Sequence, residues 1–332
     1  MSRRDVLRRI GAGGAVAFGG VVAGRAVAGA RDGDETPLYG SRTYDEIVGG
    51  GPYGTAAQAP IGIDPRALDA LTVPPPRDDA PPGTVRDLTL DVTEQRLEVG
   101  DGLVVDAWTY DGSAPGPIIR ATEGDRLRIR LRNRTGRPHN LHFHGAHSPL
   151  MDGWEPIPPG EEFTYEIEAG PAGVHPYHCH VMPLAMHVAR GLYGTLIVDP
   201  VRPRPEAREV VLVLSGWDPD GVGANRVYAW NGIAGFYDRH PIRVPVGDPV
   251  RAYVLNMVEY EPVASFHLHA RTFSIHPAGM GEDPAAHGDV VTMGQGERAM
   301  LEFTFPERGR YMFHPHQHHM AGAGAMGWFS AI

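Results

Sequence analysis

One pattern occurs twice in this chain, and it constrains the fold more than any single motif. Pro117-Ile118-Ile119-Arg120, then Gly124-Asp125, Asn133 and His142-Phe143-His144, is echoed by Pro241-Ile242-Arg243, Gly247-Asp248, Asn256 and His267-Leu268-His269. Each copy closes on a second histidine-rich segment, His178-Cys179-His180 in the first and His314-Pro315-His316 in the second. A pattern repeated at one wide spacing means two copies of one folding unit. The 332 residues are enough for two units that each bury a core. The repeat places the domains at 85–200 and 206–332.

Within each copy the apolar residues follow a period of two. Leu127-Arg128-Ile129-Arg130-Leu131-Arg132 and Phe163-Thr164-Tyr165-Glu166-Ile167 put apolar residues on one face and polar residues on the other, as a half-buried antiparallel strand requires. Turn signals such as Pro158-Pro159-Gly160 separate these runs, and no segment of comparable length shows a helical period. The chain is therefore read as all-β, with each copy a β-sandwich.

Charge and composition exclude several partners. A formal net charge of −10 argues against nucleic acid or an anionic membrane surface. All 30 basic residues are arginines, and the single Cys179 allows no intramolecular disulfide. Ahead of the repeat, Arg3 and Arg4 precede an apolar, Gly/Ala-rich run from Ile10 to Gly24 that is too short to span a bilayer, and Ala26-Val27-Ala28 follows. Residues 1–30 resemble a twin-arginine export signal, which implies a soluble mature protein working in the periplasm or outside the cell. Residues 31–84, rich in Pro and Gly and ending in Pro74-Pro75-Pro76, read as an extended arm or linker.

Histidine is the chemical signal. The chain holds 17, and five His-x-His pairs where random placement would give about one. In a strand, residues i and i+2 share a face, so each pair presents two imidazoles to one metal or to two adjacent ones. Four of the pairs fall at matching positions of the repeat, which points to metal rather than accident. Cys179 lies between His178 and His180, with His139 upstream and His187 downstream, and one Cys with two His is the ligand set of a blue-copper site. Zinc is the alternative, but a closed zinc site leaves eight further paired imidazoles without a use.

Over about 85–332 the sequence resembles the multicopper oxidase family, most closely its two-domain, laccase-like members. The motifs are His139-Asn140-Leu141-His142-Phe143-His144-Gly145, Met151-Asp152-Gly153, Ile157-Pro158-Pro159-Gly160, and His178-Cys179-His180 with His187 beyond. The resemblance implies two tandem cupredoxin-type Greek-key domains and four coppers per chain. It implies a type 1 copper held by His139, Cys179 and His187, and a trinuclear cluster held by His142, His144, His178, His180, His267, His269, His314 and His316. The axial position of the type 1 copper falls at Leu192, where some relatives carry Met; Met182 and Met186 are nearby alternatives. The second copy has Ala264 and Pro315 where another type 1 site needs His and Cys, so only the first domain is expected to hold blue copper. His318, His319, Met320 and Met326 crowd the same region; they read as a solvated histidine cluster or a cluster-supporting shell in preference to an extra ion site.

The expected activity is oxidation of a phenolic, amine or metal-ion reductant one electron at a time, with dioxygen reduced to water. Cys179 is bonded through the chain to both His178 and His180, which links the two kinds of site. Asp152 is the candidate acid near the cluster, with a plain turn aspartate before Gly153 as the alternative. In two-domain relatives the cluster forms between subunits of a ring of three, so a homotrimer is expected. Two other readings stay open. A copper nitrite reductase carries an aspartate where this chain has His142, and a non-enzymatic electron carrier needs only His139, Cys179, His187 and one domain.

Overall fold

The computed structural model describes residues 72–100 and 102–332. The export signal expected at 1–30 lies outside them, as does the arm expected at 31–84 up to residue 71. The remainder of the arm runs along the molecule: Arg77 donates to the carbonyls of Pro200 (2.8 Å) and Val201 (3.0 Å), and Arg120 to that of Pro75 (2.8 Å).

Among the described residues the chain folds into four sheets, and none mixes strands from the two copies of the repeat. In the first half, β1 (Val85–Gly100), β2 (Leu103–Tyr110), β4 (Arg126–Asn133) and β6 (Glu162–Glu168) form one sheet in the order β2-β1-β4-β6. The facing sheet, β3-β8-β7-β5, is built from β3 (Ile119–Thr122), β5 (His142–Phe143), β7 (Gly173–His178) and β8 (Tyr193–Asp199). The second half repeats the plan. β9 (Arg208–Trp217), β10 (Val227–Trp230), β12 (Pro249–Asn256), β14 (Phe273–Pro277), β15 (Ala286–Gly288) and β17 (Arg298–Thr304) make one sheet. The other holds β11 (Ile242–Val244), β13 (Val263–Leu268), β16 (Val290–Gly294), β18 (Gly309–His314) and β19 (Gly327–Ala331). The equivalence extends to strand direction: β1 runs parallel to β4 as β9 does to β12, and β3 to β8 as β11 does to β19.

β4 shows why these residues form strands. Leu127, Ile129 and Leu131 are fully buried while Arg126, Arg128 and Arg130 face out, so one face carries about 1.5–3 kcal/mol of burial per side chain. β6 departs from the expected alternation at Phe163, which is 42% exposed. It lies toward one end of an edge strand, opposite Leu131, and its ring rests on Tyr165 at 4.8 Å instead of entering the core.

β8 and β9 are nearly continuous buried runs for a different reason. Leu196 and Val198 of β8 enter the first-half core, while Tyr193 and Ile197 on its other face pack with Val211 and Val213 of β9. Val210, Leu212 and Leu214 of β9 belong to the second-half core. Each strand thus serves its own sandwich and the contact between the halves. Gly194 permits the close fit on the first side, since a Cβ there would lie 2.2 Å from the Tyr177 ring. An ion network borders the same contact: Arg120 reaches Asp199 (2.7 Å) and Glu209 (2.6 Å), and Tyr253 donates to Glu209 (2.7 Å).

Candidate metal centres

Three donor atoms converge in the first half. His139 sits on the loop after β4, held by reciprocal backbone hydrogen bonds with Ile157; Cys179 follows β7; His187 lies on the short helix Leu184–Ala189. Cys179 Sγ is 3.2 Å from His187 Nδ1 and 3.9 Å from His139 Nδ1, and the two Nδ1 atoms are 3.2 Å apart. His139 and Cys179 are fully buried and His187 is 3% exposed. Burial holds His139 down to about 3 and His187 to about 4, so both rings are neutral, and burial pushes the Cys179 thiol up to about 11.

At most one proton can lie between two nitrogens that face each other. With each ring protonated on Nε2 instead, both Nδ1 lone pairs and the sulfur converge on one point, where a cation satisfies all three. The buried Nε2 of His139 has no partner, so the ring is free to carry its proton on that side. One thiolate and two imidazoles suit a soft metal, and copper fits them. Leu192 is fully buried in the same core cluster as Cys179, and its carbonyl accepts the Cys179 N–H (3.1 Å). Met186 packs against that cluster, whereas Met182 is 78% exposed and stands outside the buried shell.

The remaining histidines form two matching groups. Register pairing sets His142 opposite His178 on β5 and β7, and His267 opposite His314 on β13 and β18. In each group the Nδ1 atoms face backbone carbonyls, which only accept: His142 toward Asp152 (3.0 Å), His178 toward Cys179 (2.9 Å), His267 toward Asp289 (2.8 Å) and His314 toward Pro315 (2.8 Å). The proton is therefore on Nδ1, and Nε2 is left free to bind a metal. His144 and His178 bring their Nε2 atoms to 3.1 Å, and His269 and His314 to 2.9 Å. His180 joins the first group with its ring 5.2 Å from His142, and His316 the second with its ring 5.2 Å from His267. Burial keeps His144 near 3 and His178 and His314 near 4, so these rings are also neutral.

Among the described residues, no cluster of ligand atoms draws on both groups. The second half instead backs the first group from one side: a Cβ at Gly296, whose φ is +71°, would come within 3.3 Å of His144 Cε1. Asp152 places its carboxylate 3.2 Å from His142 Nδ1, and also 3.5 Å from His147 Nε2. His147 was not singled out by the sequence, because it has no His-x-His partner. Asn140 is another addition. Its Oδ1 accepts the His180 N–H (2.6 Å) and lies 3.6 Å from Cys179 Sγ, and its amide donates to the Gly153 carbonyl. Trp108 completes the surroundings, its ring 5.1 Å from His139 and 4.8 Å from His187.

In the second half the place of the His139, Cys179 and His187 trio is filled with apolar side chains. The backbone bond from Leu192 N–H to His187 is matched by one from Ala325 N–H to Met320, so Met320 stands where His187 does. Met320, Ala264 and Ala325 are fully buried in the second-half core, and Met326 is 6% exposed. Of the His318, His319, Met320 and Met326 group, the two methionines are therefore buried. His318 stacks on His316 at 5.7 Å, while His319 turns to Glu261 (3.4 Å) and Tyr228.

Multicopper oxidase sequence models match residues 91–203 and 213–331. The chain is similar to a solved multicopper oxidase, with a TM-score of 0.75 and 39% identity over 82% of this chain and 98% of that one. The multicopper oxidase MmcO of Mycobacterium tuberculosis is 38% identical over 152 residues, 43% of this chain and 29% of that protein. A copper-containing nitrite reductase of Neisseria gonorrhoeae is 27% identical over 315 residues, 88% of this chain and 80% of that protein.

Proposed function

We propose how this chain, which belongs to the multicopper oxidase family of copper oxidoreductases acting on dioxygen, divides that chemistry between its two domains at 85–200 and 206–332. His139, Cys179 and His187 would hold a type 1 copper, with Leu192 buried in the same core cluster as Cys179. His142, His144, His178 and His180 supply one half of a trinuclear cluster, and His267, His269, His314 and His316 the other, for four coppers per chain. Bound copper supplies one-electron transfer at the first site and dioxygen reduction at the second.

The residues themselves do the positioning. The thiolate of Cys179 is joined through the backbone to His178 and His180, the shortest covalent connection between the two sites. The carbonyls of Asp152, Cys179, Asp289 and Pro315 fix four rings with Nε2 outward. Asp152, beside His142 and His147, is placed to hold and deliver a proton during oxygen reduction. The reductant is a phenol, an amine or a metal ion.

The observation that carries this reading is the presence of two matching histidine groups that stay separate within one chain. His269 and His316 are exposed, and Leu150 (85% exposed), Trp154 (67%) and Met182 (78%) leave apolar surface on the first half, with Trp154 5.7 Å from His180. Both features support a homotrimer in which the first domain of one subunit meets the second domain of its neighbour. No helix among the described residues is long and apolar enough to cross a membrane, and export through residues 1–30 to the periplasm or beyond completes the proposal.

Copper content tests it. Four coppers per chain after loading is the expected result, whereas two would favour a nitrite reductase and one an electron carrier. The resemblance to the Neisseria enzyme makes the reductase the reading to exclude, and His142 is the residue that separates them. His142→Asp should abolish oxygen consumption; unchanged consumption would overturn the cluster assignment.

A further inference from the structure

We propose that the surface formed by Trp108, Arg137 and Arg190 is a docking site for small anionic electron donors. The proposal rests on reading His139, Cys179 and His187 as the site that takes up electrons.

The ligand rings are almost sealed, with His139 fully buried and His187 3% exposed. The aromatic ring against both of them is Trp108, itself 5% exposed. The Arg190 guanidinium carbon lies over that ring at 5.2 Å and the Arg137 one at 5.8 Å, a placement that holds each fork against the aromatic face. A donor brought to these two arginines is therefore separated from the ligand rings by one tryptophan.

Both cations have capacity to spare. Among the described residues no carboxylate lies within 4.0 Å of either guanidinium; Arg190 donates only to the Asp106 carbonyl (3.1 Å). In the same half, Arg128, Arg132 and Arg134 each face a carboxylate. Asp106, whose carbonyl accepts from Arg190, turns its own carboxylate toward Arg96. That surface pair is 3.8 Å apart with both side chains exposed, so it leaves the two guanidinium groups over Trp108 without a close carboxylate.

Charge sets a sharp expectation. The chain as a whole carries −10 and repels anions at long range, so an anion approaching this surface meets a local exception to the global field. Two unpaired guanidinium groups recognise carboxylate, sulfonate or metal-cyanide anions through charge and fork geometry. If the local pair dominates, added salt slows an anionic donor; if the net charge dominates, added salt speeds it.

The test uses the copper-loaded full chain with two probes. Binding of hexacyanocobaltate(III), a redox-inert anion, is read by calorimetry without turnover. Arg137→Gln/Arg190→Gln should weaken it by about tenfold or more, the equivalent of about 1.4 kcal/mol, and Arg137→Lys/Arg190→Lys should restore most of it. Stopped-flow bleaching of the blue band by hexacyanoferrate(II) should slow with rising salt, and that slope should vanish or reverse in the glutamine variant. Hexaammineruthenium(II), a cation, should show the opposite dependence: its rate should rise with salt in the wild type, and that slope should fall away in the glutamine variant. Equal anion binding in wild type and the glutamine variant would overturn the proposal, as would hexacyanoferrate(II) rates that rise with salt in the wild type. A copper-loaded protein with no blue band would overturn the type 1 reading instead, and calorimetry would still decide the anion site.

Discussion

Asn140→Ala should destabilise the first domain well beyond what a surface change does. The side chain is 1% exposed and bridges two segments: its oxygen accepts the His180 N–H at 2.6 Å and its nitrogen donates to the Gly153 carbonyl. Alanine leaves both backbone groups without a partner. An orphaned buried polar group costs about 1–3 kcal/mol, so the pair amounts to about 2–6 kcal/mol. At about 4 °C per kcal/mol for a domain of this size, a loss of about 3 kcal/mol lowers the melting temperature by about 12 °C. Scanning calorimetry of the metal-free variant against wild type reads this directly, as a shift of the earliest transition. A loss below about 0.5 kcal/mol would refute the reasoning, because water or a neighbour would then be satisfying both groups. The same variant should shift the blue absorption band after copper loading, since Asn140 Oδ1 also lies 3.6 Å from the sulfur.

Further outcomes follow from the same geometry. Cys179→Ser should remove the blue colour and oxidase activity while most of the cluster copper stays bound, as measured by absorption and metal analysis; a variant that stays blue would end the type 1 assignment. Mixing a His144-deficient chain with a His316-deficient chain should restore activity if the cluster spans subunits, because one interface then pairs two intact halves. A mass measurement must show mixed oligomers, and a monomer would end the trimer proposal. Burial raises the Glu209 carboxyl, but Arg120 and Tyr253 outweigh it and hold it below its ordinary 4.5. Its contribution to stability is therefore present above about pH 4.5 and is lost as pH falls through the lowered value. Melting temperature should drop in acid below that point, and Glu209→Gln should flatten the drop.

Much of the site was readable along the chain because its signal is local. A His-x-His pair places two rings on one strand face by the pleat alone, and the repeat doubles the pair, so both histidine groups could be named without any tertiary contact. The alternation in Leu127, Ile129 and Leu131 likewise reports burial on one face, and the structure buries all three. What the sequence could not determine depends on residues distant in the chain. β8 and β9 look like ordinary buried strands, yet each is covered on its second face by the other half, which no periodicity within either run records. Trp108 and Asn140 acquire their roles from loops that arrive 30 to 80 residues away. Met320 follows two histidines in the sequence, but the helix it lies on turns it into the core, where it fills the place His187 occupies in the first half. Periodicity and spacing report which face of a strand a side chain takes. Only packing decides what the face meets, because the contacts that set burial, hydrogen-bond partners and charge are made between segments that the chain order keeps apart.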